Sequence, residues 1–337
     1  MRNPNIAFSV LELSIVSKGQ TFKQTLNNSL EVAKAAELYN YKRFWFAEHH
    51  NADNIGSSAT SLLIGYVAEN TKRIRVGSGG IMLPNHSPLI IAEQFGTLAH
   101  LYPQRIDLGL GRAPGTDMQT AHAIRSDFME AARSFPQELS KIQQYFSEDN
   151  KSSKVRAAIA ESTEVPIYIL GSSTDSAHLA AAKGLPYAFA SHFATTHLLE
   201  GLKIYRTEFT PSAFLQQPYT IAGVNVFVAE TDEEAEMLFT SLIKMFLGVL
   251  NGTREPVQPP AEMTEELQEL LQHPLLNQML KYSFVGSKKT VKMQIQQFLE
   301  KTGVDELITV STTYSLQHRL KSMKLFSEIM EEINDGE

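Results

Sequence analysis

The sequence contains no cysteine among its 337 residues. This absence excludes a disulfide framework, a thiolate nucleophile and thiolate metal ligands, so any chemistry must come from other side chains or from a bound cofactor. The sequence also lacks an apolar run of the roughly 20 residues that a membrane-spanning helix requires. Its N-terminal MRNPNIAFSV has a strand-like pattern instead of the apolar core of a signal peptide. We therefore expect a cytoplasmic protein without a membrane partner.

Basic residues are not in excess. Lys and Arg number 30 against 37 Asp and Glu, which gives a net charge of -7. A protein that binds the phosphate backbone of nucleic acid carries a basic patch or stripe, so we exclude a nucleic-acid partner. Hydrophobic residues make up 43% of the chain, enough for a sizeable core. The length fits one large β/α barrel or two ordinary domains and does not by itself decide between them.

Short apolar, β-prone segments alternate with amphipathic helical segments along the chain, as parallel βα units do. Eight such segments can be counted: 6–11, 43–47, 74–79, 105–110, 167–170, 187–190, 222–228 and 306–310. Eight strands, each followed by a helix, predict a single (β/α)8 TIM barrel over residues 1–337, since an open doubly wound sheet more often stops at about five or six strands. Two stretches exceed the repeating unit. We expect insertions at 116–164, after the fourth strand, and at 251–283, after the seventh, and interpret the second as a lid because long loops commonly serve this purpose.

The third and fourth strands alternate apolar residues with charged residues or glycine. In a barrel the apolar set should face the helices and the other set the interior. Glycines at the upper interior positions would then leave room for a flat ligand at the mouth. Lower down, Arg75 and Asp107 should form an ion pair, because buried opposite charges persist only when they are paired. The predicted interior positions are Arg75, Gly77, Gly79, Asp107, Gly109 and Gly111.

A candidate phosphate site follows the fifth strand. In β/α barrels the active site is built from the loops at the carboxyl ends of the strands. Gly171, Ser172 and Ser173 stand there between a strand and a helix, so their N–H groups and hydroxyls can converge on an anion. The alternative is an ordinary turn in which the serines cap the helix. Arg112, at the end of the neighbouring fourth strand, favours the phosphate site because its guanidinium can grip a phosphate in bidentate fashion.

A histidine pair, His49 and His50, follows the second strand. Consecutive residues at a strand end point to opposite sides, and the HxxxH and HxH zinc spacings are missing, so we predict no metal site. One imidazole at the mouth could act as an acid or a base near neutral pH, whereas a lone histidine is often structural. We single out His49 as the candidate because several ligand-binding segments share its rim.

The chain resembles the bacterial luciferase-like flavin monooxygenase family, in particular its single-chain bacterial homologues, over nearly its whole length. The motifs that carry the resemblance are FWFAEHHN, RVGSGGIMLPNHSPLIIAEQFGTL, RIDLGLGRAPGTD, YILGSS with SAHLAA, GLPYAFASHFA and FVGSKKTV. The resemblance implies a barrel that binds reduced FMN. By the same correspondence, His49 matches the catalytic histidine, Arg112 the phosphate-binding arginine, and Ser172 and Ser173 the phosphate-binding turn.

The resemblance extends to the flavin ring and to the lid. Ser78 and Gly79 fall where the family places a non-prolyl cis peptide against the flavin, and segment 251–283 matches the family's mobile lid. The reactive cysteine of the light-emitting members has no counterpart in this chain. Flavin binding is therefore better supported by the sequence than light emission.

The function implied is that of a two-component monooxygenase, which uses reduced FMN as a co-substrate and O2 on a small organic substrate such as an aldehyde. The chain has no GxGxxG dinucleotide fingerprint, so a separate flavin reductase should deliver the reduced FMN. Two alternatives stay open. One is a reductase that moves hydride through FMN or, less favoured, a deazaflavin; the other is a non-catalytic flavin-binding subunit.

The predicted helix 57–70 lacks the polar face of an ordinary outer barrel helix. Its sequence SSATSLLIGYVAEN carries no charge before Glu69. An outer helix that is apolar on more than one face indicates a covered surface. We expect a homodimer that forms through this helix.

Overall fold

The computed structural model describes residues 5–336. Its strands are β1 Ala7–Glu12, β2 Arg43–Phe46, β3 Arg75–Met82, β4 Ile106–Gly111, β5 Ile167–Gly171, β6 Tyr187–Phe189, β7 Thr220–Ala229, β8 Ser283–Ser287 and β9 Glu306–Val310. Its helices are α1 Phe22–Leu38, α2 Thr60–Glu69, α3 Pro88–Leu101, α4 Met118–Ile124, α5 Phe128–Arg133, α6 Phe135–Phe146, α7 Thr174–Lys183, α8 Leu198–Glu208, α9 Asp232–Leu250, α10 Glu265–Leu271, α11 Pro274–Leu280, α12 Lys288–Thr302 and α13 Leu316–Asp335. Within residues 5–336 no helix is both long and apolar enough to cross a membrane.

Eight of the strands close a parallel barrel, which confirms the predicted fold. The order is β6-β5-β4-β3-β2-β1-β9-β7, and β6 pairs with β7 to complete the ring. Strand β7 is long enough to have three partners, β6, β9 and β8. Its first half pairs with β9, whereas 225–229 pair with β8, which therefore lies outside the barrel.

The extra strand β8 was not predicted from the sequence. It begins at Ser283, where the sequence predicts the end of the second insertion, and it is followed by α12 before the barrel resumes with β9. The segment SFVGS is short, and Phe284 and Val285 are its only apolar side chains. It becomes a strand because β7 extends beyond the barrel and offers an unpaired edge.

The predicted alternation in β3 and β4 is confirmed. Val76, Leu108 and Leu110 belong to the core between the barrel and its helices. A second, smaller cluster fills the barrel interior and includes Leu11, Trp45, Ala47, Tyr168, Ala188, Ile221, Ile308 and Val310. Two concentric apolar layers thus lie on either side of the barrel strands, and a third cluster packs α9 and α11 against the end of β7.

Below the apolar cluster of the barrel interior lies a buried network of ion pairs. The predicted pair is present, with Arg75 Nη2 2.6 Å from Asp107 Oδ1. Asp107 stands opposite Gly77 in the β3–β4 register, however, so Arg75 reaches it from two residues earlier and not from the same depth. Arg43, which was not predicted from the sequence, lies 2.9 Å from Asp107 and 2.8 Å from Glu306, and thereby links strands β2, β4 and β9. The network is viable in the interior because each charge has a partner of opposite sign.

Candidate active site

The floor of the barrel mouth is formed by backbone where β3 and β4 approach each other closely. The Ser78 hydroxyl donates to Gly109 O (2.8 Å) and accepts from Gly109 N (3.0 Å), and Ser78 is fully buried. A Cβ atom at Gly109 would overlap Ser78 O, so only glycine fits there. The β3–β4 register shifts between Ser78 and Ile81, and the peptide between Gly79 and Gly80 is cis.

The cis peptide corrects the expectation that placed it at Ser78 and Gly79. It lies one residue further on, within the register shift. The physical reason is that Ser78 is still in regular register with Leu108, with its hydroxyl joined to Gly109, so the irregular part of β3 begins after it. Ser78 therefore supports the floor from below, whereas Gly79 lies at the floor itself.

His49 lies in the loop after β2, with its Nδ1 3.1 Å from Gly115 O. A carbonyl oxygen can only accept a hydrogen bond, so Nδ1 carries the proton of the neutral ring and Nε2 remains an acceptor. Burial lowers the pKa of His49, although the Gly115 carbonyl and the Glu48 carboxylate oppose this effect. His49 is therefore a neutral imidazole at pH 7, in the protonation state that a general base requires.

Glu48 joins the loops after β2 and β3. Its buried carboxylate accepts hydrogen bonds from His50 Nε2 (2.9 Å), His86 Nε2 (2.9 Å), Asn85 Nδ2 (2.9 Å) and Met82 N (3.0 Å). Burial opposes ionisation of Glu48, but the hydrogen bonds from His50 and His86 outweigh it and lower the pKa of Glu48 to about 2. The carboxylate stays charged at neutral pH and fixes His50 through its Nε2. His49, whose Nδ1 is bonded to Gly115 O, keeps Nε2 without a partner among the described residues.

The candidate phosphate site lies at the N-terminus of α7. Arg112 Nη2 is 3.2 Å from Asp175 Oδ2 in the first turn of this helix, and both side chains are exposed. Ser173 occupies the N-cap position but its side chain does not cap the helix. Across the described range, the hydroxyls of Ser172 and Ser173 donate no hydrogen bond to protein. The serines are therefore free for an external anion, which favours the phosphate site over the ordinary capped turn.

A second histidine, His192, faces the interior from the loop after β6. Asn225 Nδ2 donates to His192 O (2.7 Å), and a Cβ atom at Gly223 would lie 2.5 Å from His192 Nδ1. Burial, with a smaller contribution from the charge of His49, lowers the pKa of His192 to about 3. This residue lies within the motif GLPYAFASHFA but was not predicted as a site residue. A histidine directly after a barrel strand is the signal that could have found it.

The insertion 251–283 contacts the loops that carry both histidines. Arg254 Nη1 donates to Asn51 O (3.0 Å), and Thr195 Oγ1 donates to Gln278 O (2.6 Å). Helix α11 packs on α9 through the buried side chains of Leu276 and Leu280. The insertion therefore spans part of the mouth from the β2 side to the β6 side.

The structure places the predicted site residues around the mouth of the barrel. The exception is Ser78, which lies beneath the mouth and joins β3 to β4. The rim residues are His49, Arg112, Gly171, Ser172 and Ser173, and Gly79 lies on the floor of the mouth. No three His, Asp or Glu side chains of the described range converge in a way that could hold a metal ion. A barrel with an arginine and unpartnered serine hydroxyls at a helix N-terminus, a backbone floor and a neutral histidine at one mouth has the architecture of a cofactor-dependent barrel enzyme.

Comparison with known proteins identifies the family. Residues 7–306 match the family model described as luciferase-like monooxygenase. A luciferase-like monooxygenase of Escherichia coli strain K12 is 41% identical over 99% of both chains. The N-acetyl-S-alkylcysteine monooxygenase of Bacillus subtilis is 34% identical over 79% of this chain and 82% of its own. The crystal structure of apo-MsnO8 superposes with a TM-score of 0.88 at 32% identity, covering 97% of this chain and 98% of that one.

Two more distant structures share the fold alone. One is the oxygenating constituent of 3,6-diketocamphane monooxygenase in complex with FMN, at 19% identity and a TM-score of 0.68. The other is an F420-dependent secondary alcohol dehydrogenase, at 12% identity and a TM-score of 0.71. The chain belongs to the luciferase-like monooxygenase family, and it is an enzyme of the flavin-dependent monooxygenase class.

Proposed function

We propose that the protein is the oxygenase component of a two-component system that takes reduced FMN as a co-substrate and uses O2 on a small organic substrate. The observation that carries the proposal is the group formed by Arg112, Ser172 and Ser173 at the N-terminus of α7. It offers a guanidinium, two unpartnered hydroxyls and free helix N–H groups on the rim that also carries His49. This combination suits a phosphate monoester, and FMN carries one.

The residues of the mouth fit the rest of FMN. The floor at Gly79, Gly80 and Gly109 is backbone without side chains, so a flat ring can lie close to it. FMN, when bound, supplies the redox chemistry with O2. The chain binds the phosphate through Arg112 and the serines, and His49 Nε2 accepts or returns a proton beside the ring.

The direct test is titration of the purified protein with reduced and oxidised FMN. We expect binding, and we expect Arg112→Ala to weaken it by about tenfold to a hundredfold, since a hydrogen-bonded contact to a charged group contributes roughly 1.5–3 kcal/mol. Riboflavin, which lacks the phosphate, should bind Arg112→Ala and wild type equally well. Arg133→Ala, a change at an exposed arginine of α5, is the matched control. Absence of affinity for any flavin in either oxidation state would overturn the proposal.

Substrate oxidation separates this function from the two alternatives. With reduced FMN and O2, we expect oxidation of decanal or of an N-acetyl-S-alkylcysteine, the latter chosen because the Bacillus subtilis relative is named for it. His49→Ala should lose this activity while it retains FMN binding. A non-catalytic flavin-binding subunit would instead give equally poor oxidation by both proteins. A reductase would consume reduced flavin or reduced deazaflavin without consuming O2.

Two further parts of the proposal concern partners and the insertion. A separate flavin reductase would supply reduced FMN, and segment 251–283 would act as the lid. A homodimer is supported by exposed apolar side chains on α2 and α3, where Leu62 and Leu101 are 74% and 63% exposed. These helices lie side by side, since a Cβ atom at Gly65 would contact Leu98. Exposed apolar side chains on neighbouring helices are common at subunit interfaces.

A further inference from the structure

His192 is held in a defined position inside the barrel mouth. Inward and outward residues alternate along β7, with Ile221 in the interior cluster and Ala222 and Val224 in the core beneath the helices. Gly223 and Asn225 lie two and four residues after Ile221, so they face the barrel interior as well. The absence of a side chain at Gly223 makes room for the imidazole, and Asn225 fixes the backbone of His192 from the next inward position.

The two ring nitrogens of His192 have different surroundings. Nδ1 is buried and has no hydrogen-bond partner among residues 5–336. Nε2 also makes no hydrogen bond to the described part of the chain, but it is accessible, since it is not among the buried unpaired atoms. A proton on Nδ1 would leave a buried unpaired N–H, which is rarer in folded proteins than an unpaired acceptor. We therefore assign the proton to Nε2, which points a donor into open space.

His49 and His192 thus offer complementary groups at one mouth. Nε2 of His49 is an acceptor because its Nδ1–H is bonded to Gly115 O, whereas Nε2 of His192 is a donor. The rings are close enough for the charge of one to affect the other. Sites built to recognise one molecule commonly combine an apolar wall with a few polar groups of this kind.

We propose that His192 is a ligand-binding residue of the active site, whose Nε2–H donates a hydrogen bond to a carbonyl oxygen of the molecule bound over the glycine floor. The inference rests on the proposed flavin function. A neutral acceptor is favoured because the buried imidazole is uncharged at physiological pH. The carbonyl could belong to the pyrimidine portion of the flavin ring or to the organic substrate, and the two sources can be distinguished.

The test compares His192→Leu, which removes the donor, with His192→Gln, which returns an N–H at similar reach. His197→Leu, at an exposed histidine paired with Glu200, is the control. One arm measures the Kd for FMN by fluorescence quenching, and the second titrates decanal into FMN-loaded protein. We expect His192→Leu to weaken binding by about fivefold to tenfold in one arm, as the loss of one hydrogen bond does. His192→Gln should stay within about threefold of wild type, since it keeps a donor.

Imidazole NMR of the wild-type protein gives a second readout, which does not depend on the binding affinity of any variant. The ring signal of His192, identified by its absence from His192→Gln, should report an Nε2–H tautomer and should shift on ligand addition. A shift with FMN assigns the oxygen to the flavin, and a shift only with decanal assigns it to the substrate. Wild-type protein that binds FMN, with no shift in either titration and with His192→Leu equal to wild type, would overturn this inference and leave the proposed function intact. Wild-type protein that binds no flavin would overturn both.

Discussion

Glu48 holds two rim loops together from a single buried carboxylate. Its four donors come from the loops after β2 and β3, and two of them are histidine rings. A buried charge is tolerated only when donors surround it, and loss of the charge would weaken the hydrogen bonds from these donors. Glu48 therefore positions its neighbour His49 without itself facing the mouth.

Replacement of this carboxylate by an amide gives the first prediction. Glu48→Gln keeps the shape but loses the charge and brings an NH2 group against donors. We expect the free energy of unfolding to fall by about 3 kcal/mol, as when one partner of a buried pair is removed. Urea unfolding measures it, with the exposed Glu31→Gln as control. Equal stability of Glu48→Gln and wild type would show that the carboxylate is not the connection between the loops.

Acid sensitivity is the second prediction, and it follows from the sign of two pKa shifts. The pKa of His192 is about 3 in the folded protein, below its unfolded value of 6.5, so the unfolded state takes up the proton first as the pH falls. The pKa of Glu48, lowered from 4.5 to about 2, acts in the same direction between pH 4.5 and 2. Stability should therefore decrease from pH 6.5 downward, by up to about 1.4 kcal/mol per pH unit for each group in its window.

The variant His192→Gln isolates the contribution of the histidine. Its free energy of unfolding, measured in urea at pH 7, 6, 5 and 4, should decline less steeply than that of wild type, because it has no imidazole to protonate. His197→Gln, at an exposed site, should follow wild type. A wild-type slope in His192→Gln between pH 6.5 and 4.5 would contradict the prediction.

Strands β3 and β4 form the floor through an approach that side chains would prevent. The third prediction is that Gly109→Ala loses FMN binding, since the new Cβ would overlap Ser78 O and push the strands apart. Gly65→Ala, in the interior of α2, meets only one methyl group at 3.5 Å and is the control. Helix propensity should make the control neutral or slightly stabilising, by about 0.5–1 kcal/mol. Normal FMN binding by the Gly109→Ala protein would show that strands β3 and β4 can accommodate the additional Cβ atom.

The ionic network ties strands β2, β3, β4 and β9 at the other end of the barrel. The fourth prediction is that Asp107→Asn lowers the thermal midpoint, because Arg43 and Arg75 would lose their shared counter-ion. Removal of one partner from a buried pair costs about 3–5 kcal/mol. The exposed Asp149→Asn is the control in the same thermal scan. An unchanged midpoint would mean that Glu306 alone compensates the two arginines.

At the scale of the whole molecule, the exposed apolar side chains of α2 and α3 form the proposed dimer interface. The fifth prediction is a homodimer at micromolar concentration, seen by light scattering, which Leu62→Lys combined with Leu101→Lys converts to a monomer. Charges on a desolvated apolar interface oppose association. Phe214→Lys, at an apolar residue 69% exposed elsewhere on the chain, should leave the dimer unchanged. Wild-type protein that scatters as a monomer would remove the dimer proposal.

The fold could be predicted from the sequence because its signals are local. Each barrel strand is a short β-prone segment next to an amphipathic helix, and the alternation in β3 and β4 assigned Val76 to the helix side and Asp107 to the interior. Arg112 and Ser173 could be found for the same reason, since strand ends in a parallel barrel share one rim.

Other features depend on where distant segments meet, and only the tertiary structure decided them. Strand β8 exists because β7 extends past the ring, and Arg43 has its role because β4 and β9 bring Asp107 and Glu306 to it. The ring of His192 occupies the space left by the missing side chain at Gly223, where its Nδ1 has no hydrogen-bond partner among the described residues. By itself the sequence determined the order of the eight barrel strands and the strand ends from which most of the rim side chains come, because periodicity and strand ends are properties of neighbouring residues. Register, partners and the cis peptide at the floor were left to the folded chain, because they depend on contacts between residues far apart in sequence.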